Sequence, residues 1–169
     1  LRAARDGGVP LSVFGYSGAI SACARAGWWE SALEALEEMK EAGVVPDVIA
    51  YNAAISACDR GGEWQRALML LHELEQEEGL KPDHYTYNAA ISACARGGKW
   101  EYALKLLRVM AHRGIDPNVI SYNAAISACE KAKQWEKAVA LLTKMDANGV
   151  KPNVISYSAA ISECEKAKR

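Results

Sequence analysis

The sequence predicts an all-α fold of stacked helix-turn-helix repeats, and three observations lead to that prediction. An eight-residue phrase, Tyr-Asn-Ala-Ala-Ile-Ser-Ala-Cys in its commonest form, occurs five times, and its tyrosines are 35, 36, 35 and 35 residues apart. A constant period of this size is typical of repeat proteins, in which each unit packs only on its neighbours. Within each unit, apolar residues recur at helical spacing, and each complete unit closes on glycine and proline.

The phrase itself predicts the first helix of each unit, which we call the A helix. In the third copy, Tyr87, Ala90, Ile91 and Cys94 follow intervals of 3, 1 and 3, which places them on one face of an amphipathic helix. The residue after each tyrosine is Asn or Ser. We expect these side chains to serve the free backbone N–H groups of the first turn.

A second helix, the B helix, is predicted from the apolar stripe that follows a short break. The break contains glycine in three units, and the fourth has Lys131-Ala-Lys133. The predicted B helices begin near Trp29, Trp64, Trp100 and Trp135 and end at Met39, Leu74, Met110 and Met145. Each complete unit then ends in Gly-x-x-Pro followed by Asp or Asn, because glycine caps the helix and proline prevents its continuation.

These patterns divide the chain into one series of repeats. The predicted boundaries are a tail of a preceding repeat at 1–12, complete repeats at 13–47, 48–83, 84–118 and 119–153, and the first helix of a fifth repeat at 154–169. The second repeat has one extra residue within Glu75–Glu78, which should lengthen its B helix or the exit turn. Because the sequence starts with Leu1 and stops inside a repeat, we expect a fragment of a longer array.

Composition excludes several classes of protein and site. Half of the residues are hydrophobic and a quarter are charged, which is enough to bury a continuous core. The five cysteines occupy one position of the repeat, about 9–10 Å apart in a stacked array, which is too far for disulfides and predicts buried thiols. No C-x-x-C pair suggests zinc, no apolar run of roughly 20 residues suggests a membrane span, and the three histidines form no catalytic pattern.

The repeat resembles the P-type repeat of the pentatricopeptide repeat family, since it has Tyr-Asn-Ala-Ala-Ile near its start, Ala-Leu in its middle and Gly-x-x-Pro-Asp or Gly-x-x-Pro-Asn at its end. The resemblance covers essentially the whole chain. Tetratricopeptide repeats share the helix pair but have a 34-residue period. The resemblance implies a right-handed α-solenoid whose A helices line a groove for single-stranded RNA, one base per repeat. It implies no enzyme activity, cofactor or small-molecule substrate.

The resemblance assigns base reading to the residue after the tyrosine and the last residue of the repeat. The predicted pairs are Ser17 with Asp47, Asn52 with Asp83, Asn88 with Asn118, and Asn123 with Asn153, and Ser158 begins a fifth pair. Short hydroxyl, amide and carboxylate groups can pair with the Watson-Crick edge of a base. The family's rules then imply the target 5′-G-U-C/U-C/U-3′. The alternative is that these residues are only helix caps and turn formers.

Two further recurrent positions are implied to contact RNA. The second residue of each repeat is apolar and would wedge between bases; these residues are Phe14, Ile49, Tyr85, Ile120 and Ile155. The residue near the end of each A helix is basic and would contact phosphate; these residues are Arg25, Arg60, Arg96, Lys131 and Lys166. The alternative for the cations is that they only complement the helix dipole.

The distribution of charge among the repeats is compatible with a second function. The first two complete repeats each carry a net charge of −4, and the next two carry +3 and +2. Most of the acidic residues fall on B helices, away from the expected groove. An adaptor solenoid that contacts protein subunits of a large organellar assembly is therefore the alternative to RNA binding. The resemblance implies a plastid or a mitochondrion as the location.

Overall fold

The computed structural model describes residues 12–167 of the chain, with side chains as far as residue 161. This part is all-α and contains nine helices and no strand. In chain order they are α1 (Val13–Ala26), α2 (Trp29–Glu41), α3 (Val48–Gly61), α4 (Trp64–Gln76), α5 (His84–Arg96), α6 (Trp100–His112), α7 (Val119–Lys131), α8 (Trp135–Ala147) and α9 (Val154–Ala167). The predicted tail at 1–12, apart from Ser12, and the side chains of Cys164 and Lys166 lie outside the described residues.

Helices of the two predicted kinds alternate along the chain. The A helices are α1, α3, α5, α7 and α9, and the B helices are α2, α4, α6 and α8. Every B helix begins at its predicted tryptophan, and each ends two residues beyond the predicted Met or Leu. All four B helices have 13 residues, so the extra residue of the second repeat lies in the exit turn and does not lengthen α4.

The chain forms two compact units, Leu1–Pro82 and Asp83–Arg169. In the first unit, α1 packs on α2 and α3, α2 also packs on α3, and α3 packs on α4. Its core includes the fully buried side chains of Ile20, Leu36, Met39, Tyr51 and Ile55. Burial of one such aliphatic side chain contributes about 1.5–3 kcal/mol, which makes this packing the main source of stability.

The second unit repeats the same arrangement. Here α5 packs on α6 and α7, α6 packs on α7, and α7 packs on α8 and α9. Tyr87, Ile91, Tyr122, Ile126 and Met145 are fully buried. The alanines between these residues, such as Ala90 and Ala125, are also fully buried, and their small size lets neighbouring A helices approach closely.

The turns after the first four A helices each contain a left-handed residue. Gly27, Gly62 and Gly98 fill this position with φ of 80°, 76° and 67°. In the fourth repeat Lys133 adopts a φ of 58°, although it carries a side chain. Glycine is favoured there because it has no Cβ. The turn at Lys133 nevertheless closes with the same backbone hydrogen bond, from Gln134 N–H to the Cys129 carbonyl oxygen, that Lys99 N–H makes to Cys94 in the third repeat.

The A helices are capped by the residue that ends the preceding repeat, so the prediction that the residue after the tyrosine caps them is wrong. The side chain of Asp47 accepts from the backbone N–H of Ala50 at 2.8 Å, and that of Asn118 accepts from Ser121 at 3.0 Å. Both capping residues have extended backbone, which turns the side chain towards the first turn. Asn52 is already the fifth residue of α3, where the backbone N–H has an intrahelical acceptor.

Candidate nucleic-acid interface

An open groove of about 450 Å³ lies in the first unit, beside the start of α1. Its lining residues are Val13, Phe14, Ser17, Gly18, Ser21, Arg25, Asp47 and Ile49. Five of them were predicted from the sequence to contact RNA, two as wedges, two as a reading pair and one as a phosphate contact. The structure therefore brings all three predicted kinds of residue together in one cavity whose volume suits a small ligand group.

The first predicted pair is joined by a hydrogen bond. The Ser17 hydroxyl donates to Asp47 Oδ1 at 3.1 Å, and the same oxygen accepts from the backbone N–H of Ala50. Asp47 Oδ2 makes no hydrogen bond within the described part of the chain. One carboxylate oxygen thus holds the helix cap in place, and the other remains available as an acceptor in the groove.

The second unit contains two more adjoining pairs. Asn123 Nδ2 donates to Asn153 Oδ1 at 3.2 Å. Asn88 and Asn118 are linked through Ser121, whose hydroxyl donates to Asn88 Oδ1 at 2.6 Å and whose backbone N–H donates to Asn118 Oδ1. Sequence reasoning missed the Ser121 hydroxyl, although a hydroxyl residue directly before the tyrosine recurs in three repeats and was a visible signal.

The other predicted reading residues are placed as follows. Asn52 is half-buried on α3 of the first unit, and Asp83 is half-buried directly before α5 of the second unit. Asp83 accepts from the backbone N–H of Thr86 at 2.9 Å and caps α5. Ser158 is exposed on α9. All of these residues occupy the same two positions of the repeat as the pairs described above.

Large apolar side chains are exposed at the second residue of every A helix. The exposed fractions are 88% for Phe14, 63% for Ile49, 78% for Tyr85, 63% for Ile120 and 63% for Ile155. Single exposed apolar residues are ordinary on protein surfaces. A position that is apolar and exposed in every repeat is different, because it forms a regular series typical of a contact surface.

Exposed cations close the A helices. Arg25, Arg60, Arg96 and Lys131 are all exposed in the last turn of their helices. Arg60 Nη1 donates to the backbone carbonyl oxygen of Arg25 at 3.2 Å, so the guanidinium of one repeat lies beside the end of the preceding A helix. The described cations occupy equivalent places on successive repeats, and they also complement the negative ends of the helix dipoles.

Five glutamates of the first unit lie away from this groove. A separate hollow of about 820 Å³ is lined by Trp29, Glu30, Leu33, Glu34, Glu37, Glu38, Glu41 and Arg66, all from α2 and α4. The Arg66 guanidinium lies 5.3 Å from the centre of the Trp29 ring. This hollow shares no residue with the groove beside α1, where Asp47 is the single acidic lining residue. The five carboxylates of α2 therefore do not line the groove.

The described cysteines are structural. Cys58, Cys94 and Cys129 are fully buried free thiols, and Cys23 is half-buried. Burial raises the thiol pKa of Cys58 to about 11, of Cys94 to about 12 and of Cys129 to about 11. At neutral pH these thiols hold their protons, which makes them poor nucleophiles and poor metal ligands.

Metal-binding clusters and membrane spans are both absent from the part of the chain that the structure describes. Within these residues, no three His, Cys, Asp or Glu side chains are grouped closely enough to hold a metal ion. No helix of the described chain is both long and apolar enough to cross a membrane.

Comparison with known protein families gives three matches. A model described as "Pentatricopeptide repeat domain" matches residues 1–60 and 69–132, one described as "PPR repeat family" matches 117–166, and one described as "PPR repeat" matches 49–78. A sequence comparison with curated proteins finds no match.

Solved structures give close similarities in fold. The pentatricopeptide repeat protein PPR10 from maize is 23% identical with a TM-score of 0.86, over 98% of this chain and 24% of that chain. PPR10 in complex with an 18-nt psaJ RNA element is 33% identical with a TM-score of 0.83, over 95% and 23%. The PPR domain of Arabidopsis thaliana protein-only RNase P 1 in complex with tRNA is 19% identical with a TM-score of 0.77, over 88% and 78%. The chain thus spans about a quarter of PPR10.

Proposed function

Since the chain belongs to the pentatricopeptide repeat family, we propose that it binds single-stranded RNA along its A helices and reads one base per repeat. The observation that carries the proposal is the groove beside α1, in which Phe14, Ile49, Ser17, Asp47 and Arg25 meet. The proposed target is 5′-G-U-C/U-C/U-3′. PPR10, a relative 33% identical, has been solved with an RNA element, which supports the same ligand class.

Hydrogen-bonding chemistry supports the role of the last residue of each repeat. Asp47 offers a carboxylate oxygen, an acceptor, which suits the ring N–H of G or U. Asn118 and Asn153 use their side-chain oxygens to cap the next helix, and this leaves their Nδ2 groups as donors. A donor suits the unprotonated ring nitrogen of C. Acid and amide at this position therefore favour different bases.

The exposed apolar residues supply contacts that do not depend on sequence. Phe14 and Ile49 both line the groove that contains the first reading pair, so a base bound to that pair would lie against them. Stacking on an aromatic residue is worth about 1–3 kcal/mol per base. Phe14 and Tyr85 are therefore the residues at this position that contribute most to affinity.

The proposed biological role is occupancy of a transcript. An RNA held along the A helices is masked from nucleases and prevented from folding, which affects RNA processing, stability or translation. Family membership favours a plastid or a mitochondrion as the setting. The alternative of an adaptor that contacts only protein predicts no dependence on RNA sequence.

The test is a titration of short RNAs that contain GUCC or GUUU, against scrambled controls, at several salt concentrations. We expect tighter binding of the matched RNAs. Replacing Arg60, Arg96 and Lys131 by alanine should reduce the slope of log affinity against log salt by about 2, because each phosphate contact to a single strand contributes about 0.7.

The matched control replaces Lys105, Arg108 and Lys137, three exposed cations on the B helices α6 and α8, by alanine. It removes the same charge and should leave the salt slope nearly unchanged. Binding that is indifferent both to RNA sequence and to loss of the A-helix cations would exclude the proposal and favour the adaptor.

A further inference from the structure

We propose that Ser121 and Ser156 hold the side-chain amides of Asn88 and Asn123 in one orientation and thereby set a pyrimidine preference at the third and fourth bases. Each asparagine would then read its base with the help of a hydroxyl from the following repeat. This inference rests on the proposed function and adds a positioning residue to each of these reading pairs.

In the fourth pair, the hydrogen bonds around Asn123 determine the orientation of its side-chain amide. Asn153 Oδ1 is an acceptor, because the backbone N–H of Ser156 donates to it at 3.0 Å. Nδ2 of Asn123 lies 3.2 Å from that oxygen and donates to it. The reversed amide would bring two oxygen acceptors together. Asn123 Oδ1 therefore faces the Ser156 hydroxyl, which donates to it at 2.6 Å.

The third pair has the same arrangement around a fully buried hydroxyl. Ser121 Oγ accepts from the backbone N–H of Asn118 at 3.2 Å. Asn88 Oδ1, at 2.6 Å, is the nearest acceptor for the Ser121 proton, and this distance is typical of O–H···O bonds and short for N–H···O. The oxygen of Asn88 is thus occupied, and its Nδ2 makes no hydrogen bond within the described chain.

The occurrence of this hydroxyl along the chain follows the identity of the reading residue. Asn52, Asn88 and Asn123 are followed, one repeat later, by Thr86, Ser121 and Ser156 at the third position of the A helix. Ser17 is followed by Ala50 and donates its own hydroxyl proton to Asp47. Capping alone does not require the hydroxyl, since Asp47 caps α3 through the backbone of Ala50. The hydroxyl residue therefore occurs only where the preceding repeat has asparagine as its reading residue.

The consequence for recognition follows from the chemistry of the bases. An amide whose oxygen is turned towards the serine hydroxyl presents its Nδ2 side, and so its N–H donors, to RNA. Cytosine and uracil both carry an acceptor, O2, next to their ring N3. At the equivalent place guanine has an amino donor and adenine has a C–H group. A fixed donor therefore favours pyrimidines, whereas an amide that is free to turn could present its oxygen to guanine.

Two single variants test the proposal in the full chain. In Ser121→Ala, the ratio of affinities for pyrimidine and purine at the third base should fall about fivefold, as expected for the loss of one hydrogen bond. The ratio at the fourth base should stay unchanged. Ser156→Ala should give the reverse result. A purely structural effect would weaken binding of all RNAs alike and would change neither ratio.

The conservative variant Ser121→Thr should keep the wild-type ratio, because Thr86 occupies the same position in the third repeat and makes the same reciprocal bond to its cap. NMR of the free protein gives a second readout. The side-chain amide signals of Asn88 should shift in Ser121→Ala, and those of Asn123 should not.

The two possible failures are distinguishable. Equal binding of all bases by the wild-type protein would contradict base reading itself. Wild-type discrimination that survives in Ser121→Ala would overturn the positioning role while leaving the proposed function intact. Asn88 amide signals that do not move in that variant would overturn it without reference to RNA.

Discussion

Asn88 lies on an A helix, with its amide oxygen hydrogen-bonded to a residue of the next repeat and its Nδ2 available. Replacing it by threonine removes the N–H donor and leaves a hydroxyl. We expect Asn88→Thr to move the preference at the third base from pyrimidine towards purine, because the donor that pairs with pyrimidine O2 is lost. Affinities for four RNAs that differ only at this base measure the change. A preference that stays on pyrimidines would show that Asn88 does not read the base.

At this scale, the sequence predicts which residues pair but not how they are joined. The pair of Ser17 and Asp47 could be anticipated, because the resemblance to the pentatricopeptide repeat family implies that residues at these two positions act together. The hydrogen bond from Ser121 to Asn88 could not be anticipated, because the two residues are 33 apart in the sequence and meet only when neighbouring A helices stack. The recurring hydroxyl marks the position of Ser121 but not its partner. Helix capping was assigned to the wrong residue. The prediction placed the capping side chains inside the first turn of each A helix, whereas the cap is the residue directly before the predicted start of the repeat.

At the scale of helices, α3 ends in a close contact with α2. A Cβ added at Gly61 would lie 2.4 Å from Cδ1 of Trp29, whose ring is further held by Arg66. The aromatic ring is rigid near its attachment, so it must shift as a whole. We expect Gly61→Ala to destabilise the protein by about 1 kcal/mol, because overpacking outweighs the better helix propensity of alanine.

Gly18 provides the matched control for this prediction. It lies inside α1 with no atom near its missing Cβ, and every other repeat has alanine at this position. Gly18→Ala should stabilise the protein by about 0.5–1 kcal/mol. Urea unfolding of both variants measures the two effects. A gain in stability for Gly61→Ala would contradict the close packing of Trp29.

The positions of the helices were largely predictable, and the details of the turns were not. Tryptophan, glycine and proline mark the helix ends so clearly that every B helix begins at the tryptophan predicted from the sequence. The left-handed turn at Lys133 was not visible, because nothing in its local sequence requires a positive φ.

At the scale of the whole molecule, buried protonated groups link stability to pH. The pKa of Cys58, Cys94 and Cys129 is raised by burial to between about 11 and 12, whereas an unfolded thiol titrates at about 8.5. Between these values the unfolded chain has released protons that the folded chain still holds. Stability should therefore fall as the pH rises from about 9 through 11.

A second, partly buried cluster adds to this alkaline effect. The Tyr51 hydroxyl donates to Glu73 Oε1 at 2.9 Å, and Lys40 Nζ also binds that carboxylate. Burial and Glu73 raise the pKa of Tyr51. Burial by itself lowers the pKa of Lys40, but the hydrogen bonds and negative charges of Glu73 and Glu37 outweigh it and raise that pKa. Both groups hold protons more tightly when folded, so they also lose stabilising effect at high pH.

Urea unfolding midpoints measured from pH 7 to pH 11 test this dependence. We expect a constant midpoint near neutrality and a steady decline above pH 9. The variant Cys94→Ala should start from a lower midpoint because of its cavity, but it should decline less steeply. A midpoint that is independent of pH, or equal slopes for the two proteins, would contradict the burial of these thiols as protonated groups.

The fold as a whole was predictable because the same eight-residue pattern occurs five times in the sequence. Each copy repeats the same spacing of tyrosine, isoleucine and cysteine, so the prediction averages over local ambiguity. The separation of charge was only partly predictable. The sequence shows an acidic first half, and the structure adds that the glutamates of α2 line their own hollow away from the groove beside α1.

The variant Asp47→Asn tests base reading most directly. Asp and Asn are equally good helix caps, so α3 and the unfolding midpoint should be unaffected. The side chain changes from an acceptor to a donor in the groove, which suits N1 of adenine rather than the N1–H of guanine. We expect the variant to bind A-U-C-C more tightly than G-U-C-C and the wild-type protein to show the opposite order. A variant that still prefers guanine would contradict the account and leave Asp47 as a helix cap alone.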